Sequence, residues 1–471
     1  MKKINKFISL VTLGLILLFI GLAAAEPKNG SNTSLGRLST GSFEGNRIHD
    51  DLENNGMIVS HRLTGHSGME WPAGSHIYSN FASGVWFAGK VNDAIRTAVG
   101  EYGPEFSSGP WGADPDGDDK LFIVNKSDLA DPLANDDFQN WPADLGAPWV
   151  DNDNDGVYTP LPNGTDHPEF IGDQVIWYVM NDAVSSAHTI FSTAPLGIEV
   201  RVTIWGYDRP DSFGDMMFVK AQAFNSGGNE IKDMYMGLWA DPDLGNAGDD
   251  FVGCDTTLSL GYCYNDGADN SYGSAAPALG YDFFQAAVPG SATDTTFAFG
   301  KSIPGMQKLE MSSFTKYING DPVFTDPNDS EEAYNYMSGK MKNGLPFVNS
   351  ATGLDSKFVH ACDPNGNVDG NDDCWVDSDD HASGDRRFLM NVGPFDFSDG
   401  DSLEVVFGIM HAQGADPLNS ITLLKQVDGL AQLAYDIQFA LPATPGAPLV
   451  EYTTQCVDST ATCEINLSWD S

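Results

Sequence analysis

Aspartates at alternate positions form the most chemically specific pattern in this chain. The stretch DNDNDGVYTP places Asp151, Asp153 and Asp155 two residues apart and follows them with Gly156. Alternating carboxylates before a glycine turn, with the backbone carbonyl of Val157 next in line, match the first half of an EF-hand loop and predict a bound calcium ion. An Asp–Gly turn without metal is the alternative interpretation.

The second half of an EF-hand loop is missing. Position twelve is Pro162 instead of a glutamate, and Pro160 also follows the acidic residues. Because proline breaks a helix, no EF-hand helix can follow this loop, and the predicted calcium site lies outside the EF-hand frame. Asp166 and Asp173 are the next carboxylates along the chain and are predicted to complete the shell of oxygen ligands.

Three other acidic stretches repeat this pattern and are also predicted to bind calcium. Their carboxylate and amide oxygens are hard ligands, whereas zinc and copper favour imidazole or thiolate. The predicted ligands are Asp114, Asp116 and Asp118 in the first stretch, Asp241, Asp243, Asp249, Asp250 and Asp255 in the second, and Asp363, Asn365, Asn367 and Asp369 in the third. The third stretch is similar to the calcium repeats of thrombospondins. Ca²⁺ is therefore the predicted cofactor, and its role is to neutralise repelling carboxylates and order long loops.

Charge and the N-terminal segment set the compartment. The chain has 66 acidic and 24 basic residues and a formal net charge of −42, which opposes binding to nucleic acid or to anionic membranes. Residues 1–25 combine early lysines, an apolar run and three alanines, as in a secretory signal peptide. We predict a secreted or extracellular protein, attached to the cell surface or released, with no transmembrane segment after cleavage. Adaptation to salty water is an alternative reason for the acidity.

The six cysteines form three close pairs in the second half of the chain: Cys254 and Cys263, Cys362 and Cys374, and Cys456 and Cys463. In an exported protein this grouping predicts local disulfides, although the sequence leaves the connectivity open. Zinc is a weaker alternative, because no pair has the short spacing of zinc ligands.

Strand patterns dominate the chain. They predict a mainly β protein of β-sandwich architecture, with long Asp- and Gly-rich loops and one helix near the C-terminus. The turn NSGG predicts a hairpin between strands at residues 216–225 and 231–239. The helix is predicted over residues 419–439, capped by Asn419 or Ser420, with an apolar stripe that includes Leu430. Further strands are predicted at residues 174–179, 197–205 and 403–410.

Four regions follow from these patterns. The signal peptide at residues 1–25 precedes an N-terminal β-rich region with Asp-rich loops at residues 26–190. A β-sandwich domain ending in the helix occupies residues 191–440. Residues 441–471 hold a proline-rich linker and the start of a fibronectin type III-like domain. Because about two strands cannot bury a core, we interpret the sequence as a piece of a longer protein.

Sequence motifs of known enzyme classes are missing. There is no H-E-x-x-H, no serine in a G-x-S-x-G frame and no phosphate-binding glycine loop, and His360 and His381 are expected to be solvated loop residues. A pair of carboxylates suited to glycoside hydrolysis stays open, because its separation depends on the fold. Among the tryptophans, a core position is predicted for Trp86, Trp177, Trp205 and Trp239, and an exposed aromatic surface for Trp71, Trp111, Trp141 and Trp149.

Several phrases occur together in a fixed order: NNGMIVS, GMEWPAGS, ASGVWFAGKVNDAIRTAVGEYGPEF, DNDNDGVYTP with GDQVIWYVMNDA, GLWADPDLGNAGDDFVGCDTTLSLGYCYN, and GDRRFLMNVGPFDFSDGD. The set, over about residues 54–439, resembles a broad group of large exported multidomain surface proteins of Bacteroidota-like bacteria. Such proteins commonly end in fibronectin-type repeats and a type IX secretion sorting domain, which does not occur within this sequence. The resemblance implies export and attachment at, or release from, the cell surface, and little chemistry.

Taken together, the sequence predicts a secreted, calcium-stabilised, non-catalytic protein that binds or adheres at the cell surface. A carbohydrate or a cell-surface protein is the predicted partner. The alternative function is an extracellular hydrolase that degrades polysaccharide by carboxylate catalysis.

Overall fold

The computed structural model describes residues 39–60, 65–114, 120–366, 374–442, 450–457 and 462–469. The predicted signal peptide, residues 1–25, lies outside this range. The strands are β1 Thr40–Phe43, β2 His49–Glu53, β3 Met57–Val59, β4 Met69–Glu70, β5 Tyr78–Asn80, β6 Ala82–Val91, β7 Ala94–Val99, β8 Ser107–Ser108, β9 Phe122–Asn125, β10 Trp149–Val150, β11 His167–Pro168, β12 Gln174–Asn181, β13 Ile198–Gly206, β14 Met216–Asn225, β15 Ile231–Asp241, β16 Asp250–Asp255, β17 Leu260–Asn265, β18 Ala278–Pro289, β19 Thr295–Ala298, β20 Lys301–Pro304, β21 Met306–Leu309, β22 Ser313–Tyr317, β23 Phe347–Val348, β24 Asp355–Ser356, β25 Arg387–Phe397, β26 Ser402–Ala412, β27 Val450–Val457 and β28 Thr462–Trp469. The α-helices are α1 Asp136–Gln139, α2 Ser330–Met337, α3 Asp377–Asp380 and α4 Pro417–Asp436.

Two antiparallel sheets form the framework. The larger sheet has ten strands in the order β16-β17-β18-β26-β14-β13-β12-β8, with β21 paired to β18 and β9 paired to β12. The smaller sheet has six strands in the order β22-β25-β15-β6-β3, with β7 paired to β6. The prediction of a mainly β chain of sandwich architecture is confirmed.

The larger sheet is buried on both faces over much of its area, because its central strands are apolar at most positions. Successive side chains of a strand point to opposite faces. On β12, Ile176 and Tyr178 join the core that includes the smaller sheet, whereas Val175 and Trp177 join a second core. Helix α4 packs into this second core through Leu424 and neighbouring apolar residues. The result is a layer of six strands, a layer of ten strands, and a layer formed by α4 and the loops between β9 and β12.

The strands predicted at residues 174–179, 197–205 and 403–410 appear as β12, β13 and β26, but the predicted hairpin is wrong. β14 pairs with β13 and β26 in the larger sheet, whereas β15 pairs with β6 and β25 in the smaller sheet. The connection at residues 226–230 crosses from the larger sheet to the smaller one, and its first backbone N–H groups bond to the segment before β13 instead of closing a hairpin turn. The N–H groups of Ser226 and Gly227 both donate to the carbonyl of Gly197 at 2.9 Å.

Strands from the two predicted regions, residues 26–190 and 191–440, pair with one another. Strands β6 and β12, from the first region, pair with β15 and β13, from the second. Both large sheets therefore mix strands from the two regions, and a single framework runs from β3 to β26.

Helix α4 confirms the predicted helix but not its predicted cap. The N-cap is Asp416, whose carboxylate accepts the backbone N–H of Asn419 at 2.8 Å. The side chain of Asn419 therefore does not cap the helix, and Ser420 lies within it. Leu430, predicted in the apolar stripe, is 45% exposed, whereas Asp428 is buried on the packed face.

The tryptophans predicted in the core are all buried: Trp86, Trp177, Trp205 and Trp239. The expected aromatic surface is not formed, because Trp71 and Trp141 are also buried and the remaining two, Trp111 and Trp149, are half-buried. These rings therefore contribute to packing more than to an open binding face.

One predicted disulfide is observed, between Cys362 and Cys374. The prediction is wrong for Cys254 and Cys263, which are free and buried. They lie on the neighbouring strands β16 and β17. The register pairs Cys263 with Val252 and Cys254 with Gly261, so the two cysteines are not directly opposite each other.

The last described strands, β27 and β28, form a hairpin whose register places Cys456 opposite Cys463. A fibronectin type III identity for this segment stays a prediction, and Pro445 and Pro448 of the predicted linker lie outside the described residues. No helix in the described chain combines the length and apolar character needed to span a membrane.

A buried carboxylate holds the long connection between β12 and β13. Asp182 is fully buried and accepts the N–H groups of Leu196, Gly197 and Ile198 at 2.5, 2.9 and 2.7 Å. A ring nitrogen of His188 lies 2.9 Å from the backbone carbonyl of Asp182. Both ends of the connection are thereby tied to the larger sheet.

Asp182→Ala should lower the free energy of unfolding by about 3 kcal/mol or more, because three buried N–H groups lose their acceptor. Urea denaturation followed by fluorescence measures the change. Asp399→Ala, in the exposed turn between β25 and β26, is the control and should change stability by less than about 0.5 kcal/mol. Equal stability of the two variants would contradict this role of Asp182.

Candidate metal centre

Three carboxylates from two separate segments converge beside one end of the smaller sheet. Asp241 ends β15, Asp243 follows in the next loop, and Asp385 lies just before β25. Each offers an oxygen that lies within 4.8 Å of the oxygens offered by the other two. We call this group the acidic triad. The pairing of Ala240 with Phe388 brings the two strand ends together and so assembles it.

The sequence predicted two members of the triad and missed the third. Asp241 and Asp243 were predicted as ligands, but Asp385 stands in the stretch SGDRRF, which has no alternating acidic pattern. Its position depends on the pairing of β15 with β25, and residue spacing alone does not reveal the pairing of distant strands.

The predicted ligands Asp249 and Asp250 shape the neighbouring loop and are not part of the triad. Asp250 is buried and accepts the N–H of Leu244 and the side-chain amide of Asn265, both at 3.1 Å. Asp249 accepts from the same amide at 3.0 Å. These bonds fix the loop in which Asp243 adopts a left-handed backbone with φ of 45°, a conformation that aspartate tolerates better than most residues.

Burial raises the pKa values of the carboxyl groups in and beside the triad. Desolvation raises the pKa of Asp241, which is 4% exposed, to about 6. Desolvation, followed by the carboxylates of Asp241 and Asp385, raises the pKa of Asp243 to about 8. Desolvation and then Asp326 raise the pKa of nearby Glu101, also to about 8. A bound cation would favour the ionised form of all these groups.

Arg387 is the guanidinium beside the triad, and several carboxylates share it. Its Nε lies 3.4 Å from Asp241 Oδ1, and its Nη2 lies 3.5 Å from Asp385 Oδ2. Its Nη1 donates to both carboxylate oxygens of Asp326, at 3.0 and 3.1 Å. Among the described residues, no hydrogen bond or ion pair engages the carboxylate of Asp243. The triad is therefore incompletely neutralised by the protein itself.

The loop that begins at Asp151 forms a second acidic group, and it is largely exposed. Asp151, Asp153 and Asp155 each offer an oxygen within 4.8 Å of the others. Asp151 accepts the N–H of Gly156 at 3.0 Å, and Asp155 accepts the N–H of Val157 at 2.7 Å. The carboxylates thus face one another while also bonding to their own backbone, as in Asx turns.

Asp166 and Asp173, predicted to complete that loop, have different positions. Asp166 is buried and accepts the N–H groups of Asn152 and Thr159 at 3.0 and 2.8 Å, so it closes the loop from the inside. Asp173 instead accepts the N–H of Asp208 at 2.9 Å, on the segment after β13. Neither belongs to the group of three carboxylates.

The remaining predicted ligands do not form a further group in the part of the chain that the structure covers. Asp114 lies outside both acidic groups. Four others lie outside the described residues: Asp116, Asp118, Asn367 and Asp369.

A lysine bridges one predicted ligand of the second acidic stretch and one of the third. The Nζ of Lys425, on α4, lies 3.0 Å from Asp255 Oδ2 and 2.9 Å from Asp363 Oδ2. The amide of Asn365 donates to Asp363 and to the carbonyl of Leu418, both at 3.0 Å. In this arrangement an ammonium group neutralises the two carboxylates and ties both loops to the helix.

A buried ion network that the sequence did not reveal lies beside the third acidic stretch. Lys316 Nζ bonds to Asp377 Oδ1 at 2.5 Å, and Arg386 Nε donates to the other oxygen at 3.0 Å. The ring of His381 lies 3.1 Å from Lys316 Nζ and 3.1 Å from Asp321 Oδ2. Because each charge has an opposite partner, the network is suited to holding α3 in place.

His360 corrects a further expectation, since it is fully buried and not solvated. Its Nε2 lies 3.9 Å from Asp377 Oδ1 and 3.8 Å from Asp380 Oδ2. Burial, followed by the charge of Lys316, lowers the pKa of His360 to about 3. The imidazole is therefore neutral at physiological pH and acts as a packed polar side chain.

Two pockets lie away from the triad. One of about 410 Å³ is bounded by α4, Trp71 and Asp215, and one of about 450 Å³ is bounded by the segments around Asn46 and Asp208. In the first pocket Trp71 stacks on His411, with ring centroids 5.0 Å apart, and donates Nε1–H to Asp215 at 3.0 Å. No triad residue lines either pocket.

Lys425→Met should lower the free energy of unfolding by about 1–3 kcal/mol, because Asp255 and Asp363 would face each other without a cation. Lys425→Arg keeps the charge and should retain most of that stability. Urea denaturation of both variants measures the difference. Equal losses in Met and Arg variants would show that the charge is not what matters.

Comparison with known proteins assigns no family or function to the chain. The chain matches no known protein-family model and no curated protein. The resemblance to exported surface proteins therefore stays a prediction, and the chemistry of the site follows from its own residues.

Proposed function

We propose that the protein is a secreted, calcium-stabilised binding protein of the cell exterior and that the acidic triad holds a Ca²⁺ ion. One observation carries the proposal: Asp241 and Asp243 converge with Asp385 from a second segment, and Asp243 makes no hydrogen bond or ion pair among the described residues, since Arg387 acts on it only at longer range. Hard carboxylate oxygens suit calcium, and backbone carbonyls and water commonly supply its remaining ligands.

Calcium at this position would stabilise the fold, since the site depends on the pairing of β15 with β25. The unfolded chain does not hold these carboxylates together, so the ion binds the native state preferentially. With free calcium at ten to one hundred times Kd, the expected stabilisation is about 1–3 kcal/mol. The exposed loop at Asp151, Asp153 and Asp155 is proposed as a second and weaker calcium site.

An extracellular location is supported by the disulfide between Cys362 and Cys374, since such bonds persist in oxidising compartments. We further propose a carbohydrate or a cell-surface protein as partner. The pocket beside α4 supports a carbohydrate, because Gln413, Gln426 and Leu430 combine amide groups with an apolar surface. The formal charge of −42 argues against nucleic acid.

Calcium should raise the thermal midpoint of the protein by a few degrees relative to the same protein in EDTA. Asp385→Asn should lose most of this calcium-dependent shift, whereas Asp399→Asn, in an exposed turn, is the matched control and should keep it. Asp153→Asn measures how much of the calcium-dependent shift comes from the exposed loop. Differential scanning calorimetry measures all four proteins. A shift of the same size in wild type and Asp385→Asn would contradict the triad site.

Calcium binding should release protons and become tighter as the pH rises. The pKa of Asp243 is raised to about 8, so its carboxyl is mostly protonated at neutral pH and must ionise to bind the metal. Titration calorimetry in buffers of different ionisation enthalpy counts the released protons. Asp243→Asn should remove most of the release at neutral pH, because Asp241, with a pKa of about 6, is already largely ionised there. Calcium affinity that is constant between about pH 6 and pH 9 would count against this coupling.

A polysaccharide hydrolase is the second candidate, and one property of the same site favours it. Asp241 and Asp243 are close carboxyl groups whose pKa values differ, about 6 and about 8, as an acid and a nucleophile would require. Polysaccharide turnover that persists in EDTA and is lost in Asp241→Asn would establish the enzyme and overturn the metal site. Glycan binding without turnover, with a calcium-dependent melt, would exclude the hydrolase.

A further inference from the structure

Two carboxyl groups face each other inside the interface between α4 and the larger sheet. Asp428, on α4, is 1% exposed, and Asp282, on β18, is fully buried. In the described structure neither oxygen of Asp282 and not Oδ1 of Asp428 has a hydrogen-bond donor. The two side chains are nevertheless close enough to interact directly. These oxygens therefore lack a hydrogen-bond donor, and the two carboxyl groups lie close enough for one donor to serve both.

Among the residues that the structure describes, no cation forms an ion pair with either member of the pair. Leu424 and Ala431 flank Asp428 on the packed face of α4. The other charged groups that act on the pair are the exposed Lys308, on β21, and Asp255, at the end of β16. Lys425, one turn earlier on α4, is already engaged by Asp255 and a second aspartate. Two ionised carboxylates in this interface would repel each other in a medium of low polarity.

We propose that Asp282 and Asp428 share a single proton and that this proton holds α4 on the larger sheet. A hydrogen between the two carboxyl groups satisfies one oxygen of each and leaves one net charge instead of two. This inference goes beyond the proposed calcium function and does not depend on it, because the pair lies on other elements than the triad.

The protonation states support the shared proton. Burial, followed by the charge of Asp428, raises the pKa of Asp282 well above its usual value. Burial raises the pKa of Asp428 to about 7. In the unfolded chain both groups titrate near pH 4. Between about pH 4 and pH 7 the native state therefore binds more protons than the unfolded state, and the stability from this pair falls as the pH rises.

Because the pair lies under α4, its titration affects how this helix packs on the larger sheet. α4 covers the second core and leads into the C-terminal segment. Loss of the proton at alkaline pH would place two like charges under the helix and weaken its docking. The outer layer would loosen while the sandwich of the two sheets stays closed.

Asp428→Asn in the whole protein tests the proposal, because its amide can donate to Asp282 at any pH. The thermal midpoint of this variant, relative to wild type, should rise by several degrees between about pH 5 and pH 9, with EDTA present throughout. Asp399→Asn is the control and should show no such trend. A difference spectrum in the infrared, wild type minus Asp428→Asn at neutral pH, should show the carbonyl band of a protonated carboxylic acid.

Three results would overturn the proposal. A stability difference that does not change with pH would show that the pair does not titrate in this range. An infrared difference without a carboxylic acid band would show that no proton is shared. Stabilisation of wild type by calcium that Asp428→Asn loses would show that the pair holds a cation. If Asp428→Asn does not fold, Asp282→Asn and the pH titration of the wild-type infrared band give the same decision.

Discussion

The central strands of the larger sheet carry apolar side chains on both faces, so each face needs a cover of its own. The smaller sheet covers one face, and α4 with the loops between β9 and β12 covers the other. Both cores share the same strands, because alternate residues such as Trp177 and Tyr178 belong to different cores. A polar group that enters either core must therefore bring its own partner, and the rest of the structure reflects how these partners are supplied.

The acidic residues inside the protein are accommodated in three ways. Backbone N–H groups satisfy some of them, as at Asp182. Basic side chains pair with others, as Lys316 does with Asp377 and Lys425 with Asp255. A third set has neither, and Asp282, fully buried with no hydrogen-bond donor to either oxygen, is a clear member among the described residues; Asp243, which makes no hydrogen bond or ion pair, is close to it. The first two sets are explained by folding alone, whereas the third needs a proton or an added cation, which is why the proposed metal and proton sites belong to it.

Patterns within one element predicted their structure well. The alternation at residues 197–205 indicated β13, and the helical spacing of apolar residues from Ile421 to Ala434 indicated α4, because these signals depend on neighbours in the chain. Contacts between distant segments were not predictable in this way. Asp385 lies in the triad only because β15 pairs with β25. On α4 the predicted apolar stripe included Leu430, which is exposed, and did not include Asp428, which is buried. Near Asp255 the acidic spacing predicted a metal ligand, and the cation that the structure places beside this carboxylate is Lys425.

The order of strands also bears on when the fold can form. β26 lies between β14 and β18 in the larger sheet, although it follows both in the chain. Neither neighbour can complete its hydrogen bonds until residues 402–412 arrive, so the sheet closes only after most of the chain has been made. Until then one edge of β14 and one edge of β18 stay unpaired, and such exposed strand edges favour aggregation of the incomplete chain.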